Sequence, residues 1–449
     1  MGPGPSLELK TAMEGAMTEK KRNTGGFQND MDRRDFLKKS GVMTAGVLGA
    51  SLFSPLGTPF IFAQTKEPIK VGFCEVLSGL FAGIGTAEQK GAQLAEKHIN
   101  ASGGIMGRPL QVIYEDTQCK AQDAARVAKR LILEEGIVAL HGETCTSVTK
   151  VLSQVAKKYG ILHWDYEVDG TSTYKEMHKL DFRLGDDGPT QMRGIVRLAE
   201  MKYPNFKKWA LLVPDYAWGH DCMNDFKDAL NNSTLKGGEV KPFIHKFGEA
   251  DFSSYIQQIA DYQPDGLVGI SWAGDMVTFL RQQKPYNLYK KTVGFQYGNS
   301  VGICKAMGEQ MVPMWSGMDQ GHPSLPPGKK FNEMYQKAYG EWVSEDTAAC
   351  YYDSLYILKK AIEKAQSTKP IEMAKAMEGM EYSGYAGWLK IRSMSHLPIK
   401  TNYHMGYMGP VPNAPYWLAT EIVPIPYGKV MVTDGEAKYK YGMPIPFKS

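Results

Sequence analysis

From Lys66 onward, short runs of β-branched and aromatic residues alternate with stretches whose apolar positions recur at helical spacing. Ile69-Lys70-Val71-Gly72-Phe73 reads as a first strand, and 87–99 as a helix with Ala87, Leu94, Ala95 and Ile99 on its apolar face. Asn100-Ala101-Ser102-Gly103-Gly104 ends that helix with residues that tolerate left-handed backbone. The alternation continues with a strand over 110–114, a helix over 124–133, a strand over 137–140, a helix over 147–159 and a strand at 161–162. A βαβα order of this kind predicts a parallel sheet with helices on both faces.

The pattern then restarts. Strands are expected over 209–213, 240–245, 267–270 and 292–295, with helices over 222–230, 255–262 and 276–283 between them. Two such units in one chain predict an α/β molecule with two lobes. Ligands of open parallel sheets bind beyond the carboxyl ends of the strands, so two facing lobes put the site in the cleft. After Pro323-Ser324-Leu325-Pro326-Pro327, a long helix is expected over 347–365. The stretch from Pro398 to the end is rich in Pro, Tyr and Gly and reads as a late strand plus an irregular tail.

The amino-terminal part has a different character. Arg33 and Arg34 lead Asp35-Phe36-Leu37-Lys38, and Gly41 to Ala63 then runs for 23 residues without a charge. A basic segment, an apolar segment and small residues at Phe62-Ala63-Gln64 have the layout of a bacterial export signal, of the twin-arginine type. The reading is a signal peptide over 31–63, preceded by a polar, Gly-rich disordered extension over 1–30 whose start site is placed too early, with Met31 as the true start. Gly, Ser, Thr, Pro55 and Pro59 within the apolar run favour cleavage over a membrane anchor. The first cysteine, Cys74, lies inside an expected strand, which argues against lipidation.

Charge narrows the partners. Residues 1–63 carry eight Lys and Arg against six Asp and Glu, which leaves about +2 of the whole-chain +4 for the remainder. That argues against a nucleic-acid footprint, which needs clustered basic residues. The six cysteines form no CxxC, so a zinc ribbon or redox motif is not supported. No HExxH, GxSxG or GxxxxGK[ST] occurs, and His141, His163, His220 and His322 show no metal-ligand spacing. An enzyme, a metal centre and a cofactor are therefore not expected.

Several segments, taken in order, resemble the type I periplasmic binding proteins, and most of all the branched-chain amino-acid-binding family of ABC importers. They are Ile69 to Phe73 followed by Ser78-Gly79 and Gly85, the run from Ile99 to Leu110, Tyr114-Glu115-Asp116, the loop from Gly142 to Ser147, Tyr159-Gly160-Ile161-Leu162, and Pro214-Asp215-Tyr216-Ala217-Trp218-Gly219. The likeness spans about 66–400. It implies two Rossmann-like lobes joined by three crossovers, near Gly185–Pro189, Asp319–His322 and Ser393–Lys400. Lobe 1 would hold 66–187 and 321–395, and lobe 2 would hold 188–320 and 396–449. It also implies a monomer that captures a small-molecule solute outside the cytoplasm and delivers it to an ABC permease in the membrane, with export by the twin-arginine machinery expected from Arg33 and Arg34. A ligand-sensing receptor domain of the same fold is the competing reading, disfavoured because no transmembrane or signalling segment follows the lobes.

The resemblance also implies site residues. The loop with Thr144, Cys145 and Thr146 ends a strand and opens a helix, where backbone amides and the helix dipole favour an anion; relatives hold the ligand carboxylate there. Thr144 or Thr146 could equally serve as a helix cap. A Cys119–Cys145 disulfide is implied by the cysteine pair that leucine-binding relatives carry at these places. Asp165, Tyr166 and Glu167 take the second wall of the first lobe, which is usually uncharged, and could meet a cationic group. Trp218, Trp272, Gln296 and Tyr297 are expected at the cleft from the second lobe, and Phe81 and Ile84 as an apolar lid. No acid accompanies Tyr297 to meet an α-ammonium group, which points to an aromatic acid, an amide or urea-like solute, or a cation boxed by Trp218, Trp272 and Tyr166. Arg183 is read as pinning the hinge.

Overall fold

The computed structural model describes residues 67–165, 171–298 and 300–444. Five parallel strands form the first sheet: β1 (Ile69–Glu75), β2 (Leu110–Asp116), β3 (Ala139–His141), β4 (Leu162–Asp165) and β5 (Asp181–Arg183), in the order β2-β1-β3-β4-β5. Val71 pairs with Val112 on one side and with Ala139 on the other. The order reverses at β1, so the crevice for a ligand lies beyond the carboxyl ends of β1 and β3.

The second sheet contains β6 (Lys208–Pro214), β7 (Glu239–His245), β8 (Gly266–Gly269), β9 (Val293–Gln296) and β10 (Met314–Met318), with β14 (Asn402–Gly409) and β15 (Leu418–Pro426) added at one edge. Its order is β15-β14-β10-β9-β8-β6-β7. The strands are parallel as far as β10, and β14 and β15 run antiparallel. In β6 every residue after Lys208 is buried, the continuous apolar run expected of a strand covered on both faces. Here the order reverses between β6 and β8. A small antiparallel sheet of β11 (Glu381–Gly384), β12 (Gly387–Ile391) and β13 (Pro398–Lys400) completes the strands.

The expected α/β alternation is present, with boundaries shifted. The first helix is Ala82–Ala101, longer at its start than the 87–99 read from the pattern, because Phe81 already enters the turn. The helix Thr347–Ala365 matches its expected span. It packs on Ala82–Ala101 so closely that a Cβ at Gly91 would overlap the Ala348 carbonyl oxygen. The region after Pro398 corrects the expectation of one strand and an irregular tail. It supplies β13 and then the long hairpin β14–β15, whose register runs from Asn402↔Pro426 to Gly409↔Leu418. Its Tyr, Met and Ile side chains face the core between Pro and Gly residues, and an edge strand tolerates that composition.

The chain passes from the first sheet to the second after β5, returns after β10 to helices that pack on Ala82–Ala101, and passes back between β13 and β14. Lys400, at the last passage, has its side chain 3% exposed and places Nζ 3.0 Å from Asp186 Oδ1 and 3.3 Å from Asp319 Oδ1. The three passages therefore meet on one ammonium group.

Candidate ligand cleft

The strand ends at both switch points carry buried polar and aromatic residues. In the first sheet, Glu75 ends β1 fully buried and Asp165 ends β4 at 2% exposure. The loop from Gly142 to Cys145 follows β3. Gly142 has φ +115, and a Cβ there would overlap the Cys74 carbonyl oxygen, so glycine lets this loop fold back over β1. The helix Thr146–Tyr159 follows. Neither Thr144 nor Thr146 caps it: Cys145 holds the cap position with extended backbone and no side-chain cap bond. Thr149 Oγ1 instead donates to the Glu143 carbonyl at 2.7 Å. Cys119 and Cys145 are joined by a disulfide, with their Cα atoms 5.9 Å apart.

Beneath that loop lies an acidic network. Thr144 Oγ1 is 3.0 Å from Glu75 Oε2 and 3.3 Å from Glu88 Oε2. One hydroxyl hydrogen serves one carboxylate, so the second contact is a hydrogen bond only if that carboxyl carries a proton. Tyr351 Oη donates to Glu75 Oε1 at 2.7 Å, and Thr117 Oγ1 donates to Glu143. Burial, then the neighbouring Glu75 carboxylate, hold the Glu143 pKa well above the usual carboxylate range. Among the described residues, Cys119, Glu143 and Cys145 are the one group of donors close enough to share an ion, and the disulfide uses both sulfurs.

In the second sheet, aromatic rings crowd the strand ends. Trp218, in the first turn of the helix Ala217–Asn231, donates from Nε1 to the Ile270 carbonyl at 3.2 Å. Its ring lies 5.0 Å from that of Tyr297, edge to face. Trp272 caps the helix Ala273–Gln283 and donates from Nε1 to Tyr216 Oη at 2.9 Å. Gln296 is tied down: Nε2 donates to the Ser271 carbonyl at 2.9 Å, and its Oε1 lies over Gly269 beside Met276. Its Nε2 thus braces the Ser271 turn, while Oε1 is buried with no hydrogen-bond partner.

The two walls touch through Phe81. Its ring stacks on Phe247 at 4.4 Å with an interplanar angle of 8°, and meets Trp272 at 4.5 Å. Phe81 comes from the loop after β1, whereas Phe247 and Trp272 follow β7 and β8. Ile84, one turn into the same helix, is 1% exposed. Phe81 and Trp272 thus belong to one aromatic group, and Trp218 and Tyr297 form another. Tyr166 and Glu167 lie outside the described residues, as do Arg33 and Arg34. Arg183 bonds Thr173 and sets its guanidinium 4.7 Å over the Tyr174 ring, beside the first passage between the sheets.

Phe247, Tyr216, Glu75 and Glu88 were not foreseen. Glu75 was findable as the residue ending the first strand pattern. Phe247 follows an edge strand in Lys246-Phe247-Gly248, and nothing local marks it.

The periplasmic binding protein family model matches residues 68–406, well over half of the chain. The chain belongs to this family. It is similar to the Leu/Ile/Val-binding protein of Escherichia coli (strain K12), at 24% identity over 324 residues covering 70% of this chain and 83% of that protein. It is also similar to the leucine-, isoleucine-, valine-, threonine-, and alanine-binding protein of Pseudomonas aeruginosa, at 22% over 331 residues, covering 73% and 86%. Among solved structures, the amino acid ABC transporter substrate-binding protein of Pseudomonas fluorescens Pf-5 superimposes with a TM-score of 0.72 at 20% identity, covering 84% of this chain and 99% of that one. The solute-binding protein of Rhodopseudomonas palustris BisB5, in complex with 3,4-dihydroxy benzoic acid, gives 0.70 at 20%, covering 80% and 98%. These likenesses establish the fold. No helix among the described residues is long and apolar enough to cross a membrane.

Proposed function

We propose that this chain is the extracytoplasmic solute-binding subunit of an ABC importer. It captures one small polar or aromatic solute between two lobes and presents the closed complex to a membrane permease. Lobe 1 is taken as 66–187 with 321–400, and lobe 2 as 188–320 with 401–449, the last boundary moved from 395 because β13 pairs with β12. Arg33 and Arg34 direct export by the twin-arginine machinery, and the mature protein works as a monomer.

The observation that carries this reading is the stack of Phe81 on Phe247 and Trp272, which joins the loops at both switch points. A ligand at the mouth of both sheets touches both walls, so binding energy favours closure. The wall chemistry narrows the ligand class. Relatives are named for branched-chain amino acids and three fold neighbours hold aromatic acids. Here the second-sheet wall offers the rings of Trp218, Trp272 and Tyr297, while the first-sheet wall offers the helix start at Thr146 and the carboxylate of Asp165. Flat or amide-bearing solutes fit such walls better than a purely aliphatic side chain, because aromatic faces stack on planar groups and attract cations.

The test is a thermal-shift screen of residues 64–449 against amino acids, aromatic acids, amides, urea-like solutes and quaternary amines. A ligand at a hundred times its dissociation constant stabilises by about 2.7 kcal/mol. A hit that disappears in Trp218→Ala and Thr146→Ala supports the reading. No shift with any class, together with native mass spectrometry showing an empty chain, contradicts it.

A further inference from the structure

The chain beyond β15 lies outside the family match, which ends at residue 406. It is nevertheless packed, and against three different parts of the molecule. Tyr427 Oη donates to Asp186 Oδ1 at 2.8 Å, in the first passage between the sheets. Arg392, near the third passage, donates from Nη1 to the Val432 carbonyl at 2.8 Å and pairs with Asp434 at 3.1 Å.

Farther on, the segment grips helices that follow the first passage. Arg193 Nη2 donates to Glu436 Oε1 at 2.9 Å and Nη1 donates to Glu436 Oε2 at 3.2 Å, a two-pronged pair. Lys440 Nζ lies 2.6 Å from Asp228 Oδ2 on the helix Ala217–Asn231. The next residue, Tyr441, stacks on Tyr174 at 5.2 Å with an interplanar angle of 18°. Tyr174 precedes the first passage, in the short helical turn Thr171–Glu176 between β4 and β5. Val432, Ala437 and Met443 bury themselves with Tyr174, Met177 and Leu397 in a small apolar core of their own.

One continuous segment is thus anchored on both sides of the passages. Arg193 and Asp228 belong to helices entered after the first passage, and Tyr174 and Met177 to chain before it. A rotation of the two parts about the passages would shear the Tyr441–Tyr174 stack away from the Glu436 and Lys440 pairs. We propose that residues 427–444 form a strap on the hinge side of the molecule, and that release of its Tyr441–Tyr174 end accompanies opening of the cleft. The strap sets how far and how often the ligand-free protein opens. This rests on the hinged two-lobe reading given above.

The test uses spin labels at Gln122→Cys and Ser254→Cys, exposed positions in the first turns of two helices that begin at the strand ends of opposite sheets. Distances are measured by pulsed electron resonance in the ligand-free chain. Tyr441→Ala and Glu436→Gln weaken the strap, and Phe81→Ala loosens the opposite, mouth side. Folded strap variants are expected to shift the distribution to longer distances than the parent. If Tyr441→Ala does not fold, the milder Glu436→Gln decides. A parent-like distribution in a folded strap variant, with Phe81→Ala shifted, overturns the strap and leaves the hinge intact. A parent-like distribution in all three overturns both.

Discussion

Lys400 Nζ stands 3.0 Å from Asp186 Oδ1, and Asp319 Oδ1 is 3.3 Å from the same ammonium. These residues sit in the three passages between the sheets, so one buried cation fixes the relative position of three strands of chain. Burial opposes the Lys400 charge, but the carboxylates of Asp186 and Asp319 outweigh it and lift its pKa well above that of a solvated lysine. Replacing the cation leaves a buried carboxylate, Asp186, and a partly buried one, Asp319, unbalanced. Removing one partner of a buried pair costs about 3–5 kcal/mol, so Lys400→Met should lower unfolding free energy by that order in urea titrations. A loss within about 0.5 kcal/mol, the range of an ordinary surface substitution, would mean the triad does not hold the hinge.

The contributions of Asp225 and Asp353 to stability should fall as pH rises from acid to neutral. Asp225 is buried, and burial followed by the nearby Asp187 carboxylate raises its pKa to about 8; burial raises Asp353 to about 7. An unfolded aspartate titrates near 3.9. Between that value and the raised one the folded chain holds the extra proton, so folding weakens as pH climbs through this window and levels off above it. Each group contributes at most about 1.4 kcal/mol per pH unit. Asp225→Asn should flatten the melting-temperature profile between pH 5 and 8 and gain stability most at pH 8. A profile as steep as the parent's would assign the slope elsewhere.

The Cys119–Cys145 disulfide closes a loop between residues 26 positions apart and anchors the start of the helix Thr146–Tyr159. Peptide mapping of protein recovered after export should find the two cysteines linked. Reduction should cost about 2–4 kcal/mol and weaken ligand capture through the Thr144 to Thr146 loop. Finding both thiols free in exported protein would refute the pairing.

Gly91 marks the closest approach of the helices Ala82–Ala101 and Thr347–Ala365. Gly91→Ala would ordinarily favour a helix, yet its methyl would strike the Ala348 carbonyl oxygen. Overpacking of this kind costs about 1–3 kcal/mol, so calorimetry should show a lower melting temperature. A higher one would mean the helices separate without penalty.

The alternation of strands and helices was legible because parallel strands such as β6 are continuous apolar runs and their helices keep a regular stripe. The placement of Trp218, Trp272 and Phe81 after the carboxyl ends of β6, β8 and β1 followed from the strand order. Two kinds of feature were hidden. The β14–β15 hairpin carries Pro and Gly, which blur an edge strand into an apparent tail. The Phe81–Phe247 stack and the Lys400 triad join residues far apart in sequence, and their meaning exists only once the passages bring the sheets together. The amide of Gln296 shows that a polar residue at a strand end can also serve the turn beside it.

The proposed function places a single solute where Phe81 meets Phe247 and Trp272. The most direct measurement is calorimetric titration of the strongest ligand from the screen into the parent chain, Phe81→Ala and Trp272→Ala, each checked as folded. The expected result is one ligand per chain, with affinity at least tenfold weaker in both variants, a difference of about 1.4 kcal/mol or more. Undiminished affinity in both folded variants, or binding at more than one site per chain, would contradict it.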